Sequence, residues 1–199
     1  MTQSVMRRAS ESHYHRAGST TPKILSTDFL SEECRMNAIS KWLLSLVAAA
    51  ALQLGAAQAA TVVALGASNT AGKGVSSEQA YPAQLEALLR GRGLDVRVVN
   101  AGVNGDTTGG MMARLESAVP KGTKVVILQP GGNDARKGGA DHTGEIKARL
   151  AQMGVKVIML PNGMFRGKPH QPDGIHLTPE GYRMLAQQLA GPVAGALGR

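Results

Sequence analysis

An aspartate and a histidine lie three positions apart in the segment "PDGIHLTPEGY", residues 172–182. When a carboxylate holds one nitrogen of an imidazole, the other nitrogen can act as a general base. Such a base serves a nucleophile within hydrogen-bond reach, and the best candidate in this chain is the hydroxyl of Ser68. Asp173, His176 and Ser68 therefore predict nucleophilic catalysis by a serine.

Two further residues are suited to a negative charge that develops on a substrate oxygen. Gly105 offers an unshielded backbone N–H, Asn133 offers a side-chain amide, and the backbone N–H of Ser68 is a third donor. Donors of this kind form an oxyanion hole. Each candidate also has a purely structural explanation. Ser68 and Asn133 are good helix caps. Gly105 suits a turn, and the Asp173–His176 pair suits a turn or the surface.

Four apolar runs predict β-strands, and they alternate with four segments of helical spacing. The predicted strands are 61–68, 95–102, 124–131 and 155–162. The first three predicted helices are 78–93, 109–119 and 143–154. The last predicted helix is capped by Thr178 and ends at Gly191. Apolar strands that alternate with helices form a parallel sheet that is covered on both faces. The pattern therefore predicts an α/β fold with three α/β/α layers.

The polar, glycine-rich loops of the chain follow the predicted strands. In an open parallel sheet, the active site lies beyond the carboxyl ends of the strands. Ser68 ends the first strand, Gly105 and Asn133 follow the second and third, and the segment with Asp173 and His176 follows the fourth. We therefore expect the five candidate residues to meet at one edge of the sheet.

Other classes of site fit the sequence poorly. The segment "GASNTAGKG", 66–74, differs from a phosphate-binding loop in its glycine spacing and has Gly74 where Ser or Thr would hold magnesium. His142, His170 and His176 lack the spacing of a metal site. The net charge of +8 comes from scattered basic residues rather than a dense stripe. We therefore expect no cofactor, no metal and no nucleic-acid partner.

Residues 36–60 have the layout of a secretory signal peptide. Lys41 supplies the positive charge, 42–54 form the apolar region, and Ala-Gln-Ala at 57–59 supplies the small-residue cleavage pattern. The apolar run is short for a membrane span, which needs about 20 residues. We expect cleavage near Ala59 and Ala60 and a periplasmic or secreted protein.

These features divide the chain into three parts. Residues 1–35 have no apolar period and are either an untranslated upstream segment or a disordered extension, since Met36 is the expected start. Residues 36–59 are the signal peptide, and 60–199 form one domain. The only cysteine, Cys34, precedes the apolar region, so we expect no lipid anchor and no stable membrane attachment.

Together, these residues resemble the SGNH family, also called GDSL-type hydrolases, and look like its bacterial arylesterase, thioesterase and lysophospholipase branch. The resemblance covers about residues 61–195. The nucleophile triplet Gly-Asp-Ser is matched by "GAS" at 66–68, and the oxyanion glycine by Gly105 in "NGDTT". The block Gly-x-Asn-Asp is matched by "GGND" at 131–134, and Asp-x-x-His by "DGIH" at 173–176.

The resemblance implies a flavodoxin-like sheet and a serine esterase without a cofactor. Ser68, His176 and Asp173 would be the catalytic triad, and the Ser68 N–H, Gly105 and Asn133 would form the oxyanion hole. The implied substrates are small-molecule esters with short acyl or aryl groups, thioesters or lysophospholipids. Two alternatives stay open: a carbohydrate O-acetyl esterase with the same machinery, and a non-catalytic binding module on a degenerate hydrolase fold.

Two departures from the family pattern affect the expected site. Ala67 replaces the aspartate of the first block, and only 38 residues separate Asp134 from Asp173, where family members usually have another helix and strand. We therefore expect about four strands and a shallow site that prefers short acyl groups. The sequence carries no signal for an oligomeric state. The large apolar residues expected near the site are Met111, Met112, Met164 and Phe165.

Overall fold

A computed structural model describes residues 58–198 of the chain. The predicted extension, 1–35, and nearly all of the predicted signal peptide, 36–59, lie outside this range and stay predictions. The first strand begins at Ala60, where the predicted mature chain begins. Within the described range, no helix is both long and apolar enough to cross a membrane.

The centre of the fold is a sheet of four parallel strands in the order β2-β1-β3-β4. The strands are β1 (Ala60–Gly66), β2 (Val96–Gly102), β3 (Thr123–Gln129) and β4 (Lys156–Met159). The predicted four-stranded parallel sheet is confirmed. Its order is the flavodoxin-like one, in which the direction of chain progression reverses between β1 and β3 and leaves a crevice beyond their carboxyl ends.

Seven helices accompany these strands among the described residues. They are α1 (Ser68–Ala71), α2 (Tyr81–Gly91), α3 (Thr108–Ala113), α4 (Leu115–Ala118), α5 (Asn133–Lys137), α6 (Thr143–Gln152) and α7 (Pro179–Ala196). Two short 3-10 helices cover Ser77–Gln79 and Asn162–Phe165. The predicted alternation of strands and helices is confirmed. Three short helices were not predicted: α1, α5 and the second 3-10 helix.

The central strand β1 sends its side chains alternately into two apolar cores. Val62 and Ala64 pack in one core with residues of α2 and α7. Val63 and Leu65 pack in the other core with residues of α3, α4 and α6. All four side chains are completely buried, so the strand reads as one continuous apolar run. The predicted three-layer α/β/α architecture is confirmed.

The predicted end of the last helix at Gly191 is wrong. The helix α7 continues through Pro192 and ends at Ala196. A proline inside a helix removes one backbone hydrogen bond. Here Val193, the next residue, is completely buried in the same core as Leu189. Burial of this side chain keeps the last turn packed on the sheet despite the proline.

The predicted helix 109–119 is interrupted at Arg114, which adopts φ −105° and ψ 10° between α3 and α4. Its guanidinium donates to the carboxylate of Asp106 and to the carbonyls of Gly66 and Ala101. These acceptors belong to the loop between β2 and α3 and to the ends of β1 and β2. The helix is therefore interrupted at the residue that ties it to the carboxyl edge of the sheet.

Candidate active site

Ser68 lies just beyond the carboxyl end of the central strand. The strand β1 ends at Gly66, Ala67 is the N-cap of α1, and Ser68 is the first helical residue. The hydroxyl of Ser68 is therefore not a helix cap, and it lines a cleft at the edge of the sheet. Because the first N–H groups of a helix have no acceptor within the helix, the Ser68 N–H is suited to bind an anion.

The structure brings Ser68, His176 and Asp173 together in one chain of hydrogen bonds. The Nε2 atom of His176 lies 2.8 Å from Oγ of Ser68, which is 108 positions away in the sequence. The Nδ1 atom of His176 lies 2.5 Å from Oδ2 of Asp173. Since an ionised carboxylate accepts the Nδ1 proton, Nε2 is left as the acceptor that faces the serine hydroxyl.

The carboxylate of Asp173 is held in its charged form. The hydrogen bond from the His176 side chain, together with the backbone N–H groups of His176 and Ile175, holds the pKa of Asp173 well below its ordinary value. Both backbone donors lie 2.9 Å from Oδ1. The ring of His176 is only 7% exposed, whereas the side chain of Asp173 is 42% exposed. The loop thus presents a buried imidazole with a fixed orientation.

Asn133 connects two loops at the cleft. It is the first residue of α5, and its N-cap is Gly132, so the side chain does not cap the helix. Its Nδ2 donates to the carbonyl of Asp106 at 2.6 Å, and its Oδ1 accepts from Arg136 at 2.5 Å. These two partners fix which end of the amide is the donor. Asn133 lines the same cleft as Ser68.

Gly105 directly precedes the residue to which the Asn133 amide is bonded. Its φ of 75° lies in the left-handed region, which glycine adopts without strain. Its carbonyl accepts a hydrogen bond from Lys137 at 2.7 Å. Gly105 is not among the residues that line the cleft beside Ser68. Its role as an oxyanion donor stays a prediction.

The cleft beside Ser68 has a volume of about 560 Å³. Of the four large apolar residues expected near the site, only Phe165 lines it. The prediction for the methionines is wrong, because Met111 is completely buried in one core, Met112 packs against that core, and Met164 packs against the other. Their positions follow the helical faces on which they lie.

Gln129, the last residue of β3, is a site residue that was not predicted from the sequence. The side chain is 2% exposed, and its Oε1 accepts from the N–H of Ala67 at 3.0 Å and from the hydroxyl of Thr70 at 2.9 Å. It therefore holds the turn that carries Ser68, next to the position where the family has an aspartate. A polar residue at the end of the apolar run 125–128 was the signal that could have identified it.

Asn69 is a second site residue that was not predicted from the sequence. Its Nδ2 donates to the carbonyl of Ile175, and its Oδ1 accepts from the hydroxyl of Tyr182, both at 3.1 Å. It therefore joins α1 to the loop of Asp173 and to α7. Burial raises the pKa of Tyr182 to about 12, so the phenol remains a donor at neutral pH.

Part of the chain matches a known protein family. The model of the GDSL-like lipase/acylhydrolase family matches residues 64–171, more than half of the chain. The match contains Ser68, Gly105 and Asn133 and ends just before Asp173, which the structure places beside His176. The family match and the contact between Asp173 and His176 thus rest on different residues of the chain.

Two curated relatives are esterases by name. The chain is 35% identical over 112 residues to the esterase TesA of Pseudomonas aeruginosa, covering 52% of this chain and 55% of that protein. It is 35% identical over 97 residues to an arylesterase of Vibrio mimicus, covering 48% of each. The chain thus spans about half the length of the curated relatives that it matches.

Solved structures have the same fold. The crystal structure of TesA has a TM-score of 0.55 at 26% identity and covers 68% of this chain and 99% of that chain. A lipase/acylhydrolase from Enterococcus faecalis has a TM-score of 0.51 at 23% identity, covers 68% of this chain and 96% of that chain, and supports the fold alone. With the family match over residues 64–171, the chain belongs to the GDSL-like lipase/acylhydrolase family.

Proposed function

We propose that this protein is a carboxylic ester hydrolase in which Ser68 is the nucleophile. The observation that carries the proposal is the hydrogen-bonded series from the Ser68 hydroxyl through His176 to Asp173, with distances of 2.8 and 2.5 Å. Nucleophile, base and orienting group are each within reach of the next, as nucleophilic catalysis requires. Membership of the family and the names of the relatives support the same reaction class.

In the proposed first step, Oγ of Ser68 attacks the carbonyl carbon of the ester, and its proton moves to Nε2 of His176. Asp173 keeps the imidazole in place and stabilises the imidazolium. The tetrahedral intermediate then expels the alcohol, which takes the proton from His176. This step leaves the acyl group on Ser68.

In the proposed second step, water attacks the acyl-enzyme while His176 takes one of its protons. Collapse of the new intermediate releases the carboxylic acid, and Ser68 regains its proton from His176. Each proton transfer uses a group of this chain. The two steps share one base, so loss of His176 affects both.

Negative charge develops on the carbonyl oxygen in both steps. We assign its stabilisation to the backbone N–H of Ser68, the side-chain amide of Asn133 and the N–H of Gly105. The Asn133 oxygen is engaged by Arg136, which fixes the amide with its donor end away from that arginine. An amide that is already oriented needs no reorganisation when the charge appears.

The substrate and the location are part of the proposal. We assign small esters with short acyl or aryl groups as substrates.

We assign export by the signal peptide 36–59, with cleavage near Ala60, the first residue of β1. N-terminal sequencing of exported protein tests the location, and exported protein that retains Trp42 would contradict it.

Covalent labelling by a fluorophosphonate, measured together with hydrolysis of p-nitrophenyl butyrate, tests the reaction. Ser68→Ala should abolish labelling and reduce turnover by on the order of 10⁶. Ser77→Ala is the matched control, because Ser77 is exposed in a 3-10 helix. Labelling or hydrolysis that persists in Ser68→Ala would contradict the proposed nucleophile.

A further inference from the structure

The cleft beside Ser68 is lined by basic side chains without acidic ones. Arg136, Arg166 and His170 line it, whereas none of its lining residues within 58–198 is an aspartate or a glutamate. Arg136 belongs to α5, and the other two belong to the segment after β4. Two separate parts of the chain thus bring basic groups to the cleft that Ser68 lines.

The carboxylates of the surrounding loops already have partners. Asp173 accepts from the imidazole and from two backbone N–H groups. Asp134 accepts from the N–H and the hydroxyl of Thr108. Asp106 forms an ion pair with Arg114. The negative charges of the site are therefore satisfied within the loops rather than presented to the cleft.

The two arginines of the cleft keep donors for a ligand. Neither Arg136 nor Arg166 forms an ion pair with a carboxylate in the part of the chain that the structure describes. Arg136 gives one N–H to Asn133, and a guanidinium has five. His170 donates from Nδ1 to the carbonyl of Lys168 at 2.7 Å, so Nε2 of the neutral ring is an acceptor and the two arginines are the donors for an anion.

We propose that the preferred substrate carries an anionic group, which Arg166 and Arg136 bind while the ester carbonyl lies at Ser68. This inference rests on the proposed esterase function and names the substrate class. Guanidinium groups bind carboxylate, sulfonate or phosphate oxygens through paired N–H donors. The recognised chemistry is the anion itself, on either the acyl part or the alcohol part of the ester.

Two pairs of esters distinguish these positions of the anion. For the acyl part, kcat/KM is compared between the p-nitrophenyl monoester of adipic acid and p-nitrophenyl hexanoate. For the alcohol part, the acetate ester of p-hydroxybenzenesulfonate is compared with that of the neutral sulfonamide. Each rate is divided by the spontaneous rate of the same ester. The anionic ester should be favoured by about tenfold in at least one pair, which is typical of one hydrogen bond between charged groups.

Variants test whether the arginine causes this preference. Arg166→Gln should lower the anionic-to-neutral ratio about tenfold, and Arg166→Lys, which keeps the charge, should restore part of it. Arg97→Gln is the matched control. It removes one exposed charge near the amino ends of the strands, where Arg97 on β2 is the backbone neighbour of Thr61 on β1. The control should leave both the ratio and the activity unchanged.

The outcomes separate this inference from the function on which it rests. Ratios near one in both pairs, or a ratio that Arg166→Gln does not change, would overturn the anionic substrate while Ser68-dependent hydrolysis stands. If none of the four esters is hydrolysed in a manner that depends on Ser68, the proposed function is contradicted. This inference then fails with it. A preference that Arg166→Gln removes and Arg97→Gln keeps supports the inference.

Discussion

Asp173 uses its two carboxylate oxygens for two different tasks. Oδ1 accepts from the N–H groups of Ile175 and His176 and closes the turn, while Oδ2 accepts from the imidazole. The same residue therefore shapes its loop and orients the proposed base. A substitution that keeps the shape but changes the charge separates the two tasks.

Asp173→Asn should lower kcat by about 10⁴, because an amide N–H₂ group facing Nδ1 favours the imidazole tautomer whose Nε2 already carries a proton. Hydrolysis of p-nitrophenyl butyrate measures the change. Asp141→Asn is the matched control, since Asp141 is an exposed carboxylate that accepts from the N–H and hydroxyl of Thr143 in a loop outside the cleft lining. A kcat as high as that of the control would contradict the orienting role.

The pH dependence of stability should also depend on Asp173. The pKa of the Asp173 carboxyl is lowered in the folded protein by its hydrogen bonds to His176 and Ile175. These hydrogen bonds therefore stabilise the fold fully at pH values above the ordinary carboxyl pKa of about 3.9. The stabilisation is lost progressively as pH falls below that value. The difference in unfolding free energy between the wild type and Asp173→Asn should therefore shrink from pH 6 to pH 3. Denaturant unfolding at both pH values measures it. A constant difference would contradict the lowered pKa.

Asn133→Ala should reduce kcat by about 10²–10³ if the amide binds the oxyanion. The side chain also holds the carbonyl of Asp106, so thermal unfolding must be measured in parallel. Asn133→Asp keeps the shape and removes the donor, and it should lose a similar factor. Unchanged kcat in both variants would contradict the assignment of Asn133.

The helix that carries Ser68 packs directly on the end of β2. A Cβ atom at Gly102 would lie 2.1 Å from the backbone nitrogen of Ala71 and 2.6 Å from the carbonyl carbon of Thr70. Backbone atoms cannot move aside as a flexible side chain would. The close approach of β2 and α1 therefore requires glycine at this position.

Gly102→Ala should destabilise the protein by about 1–3 kcal/mol, as overpacking does, and lower kcat because α1 is displaced. Gly144→Ala is the matched control: Gly144 lies in α6, and a methyl group there would meet no neighbouring atom within 4 Å, so alanine should stabilise by about 0.5–1 kcal/mol. Urea unfolding and ester hydrolysis measure both effects. Equal stability of the two variants would contradict the packing explanation.

The positions of the strands were predictable from the sequence, and so was the clustering of the loops that follow them. Each depends on a local sequence pattern. A buried parallel strand is continuously apolar, and its carboxyl end must lie at the same edge as those of its neighbours. The interruption at Arg114 was not predictable, because its acceptors at Gly66 and Ala101 come together only after β1 and β2 pair. The roles of Gln129 and Asn69 have the same origin, since their partners are distant in the sequence.

At the scale of the molecule, the part of the chain within 58–198 presents few large apolar side chains in the cleft beside Ser68. Among the residues that line the cleft, Phe165 and Ile175 are the large apolar ones, and Ile175 is 46% exposed. The sheet ends with the short strand β4. Within residues 58–198, the short interval between Asp134 and Asp173 thus adds no long apolar channel to the cleft.

The specificity constant across p-nitrophenyl esters of two to sixteen carbons should be highest from acetyl to butyryl. A buried methylene contributes about 0.8 kcal/mol only if it leaves water. Among residues 58–198, Phe165 and Ile175 are the large apolar side chains that this cleft offers to longer chains. Measurement below the micelle-forming concentration of each ester excludes aggregated substrate. A maximum at ten carbons or beyond would contradict the shallow cleft.

The separation of Ser68 and His176 by 108 positions has a consequence for the order of events during folding. A nascent chain that has not yet emerged as far as the Asp173 loop contains the segments of all four strands but not the base. Contacts so distant in sequence also form slowly. The proposed esterase activity should therefore return late on refolding, after the Tyr182–Asn69 hydrogen bond has joined α7 to α1. Ester hydrolysis followed during refolding measures it, and activity that returns before the helices have formed would contradict this order.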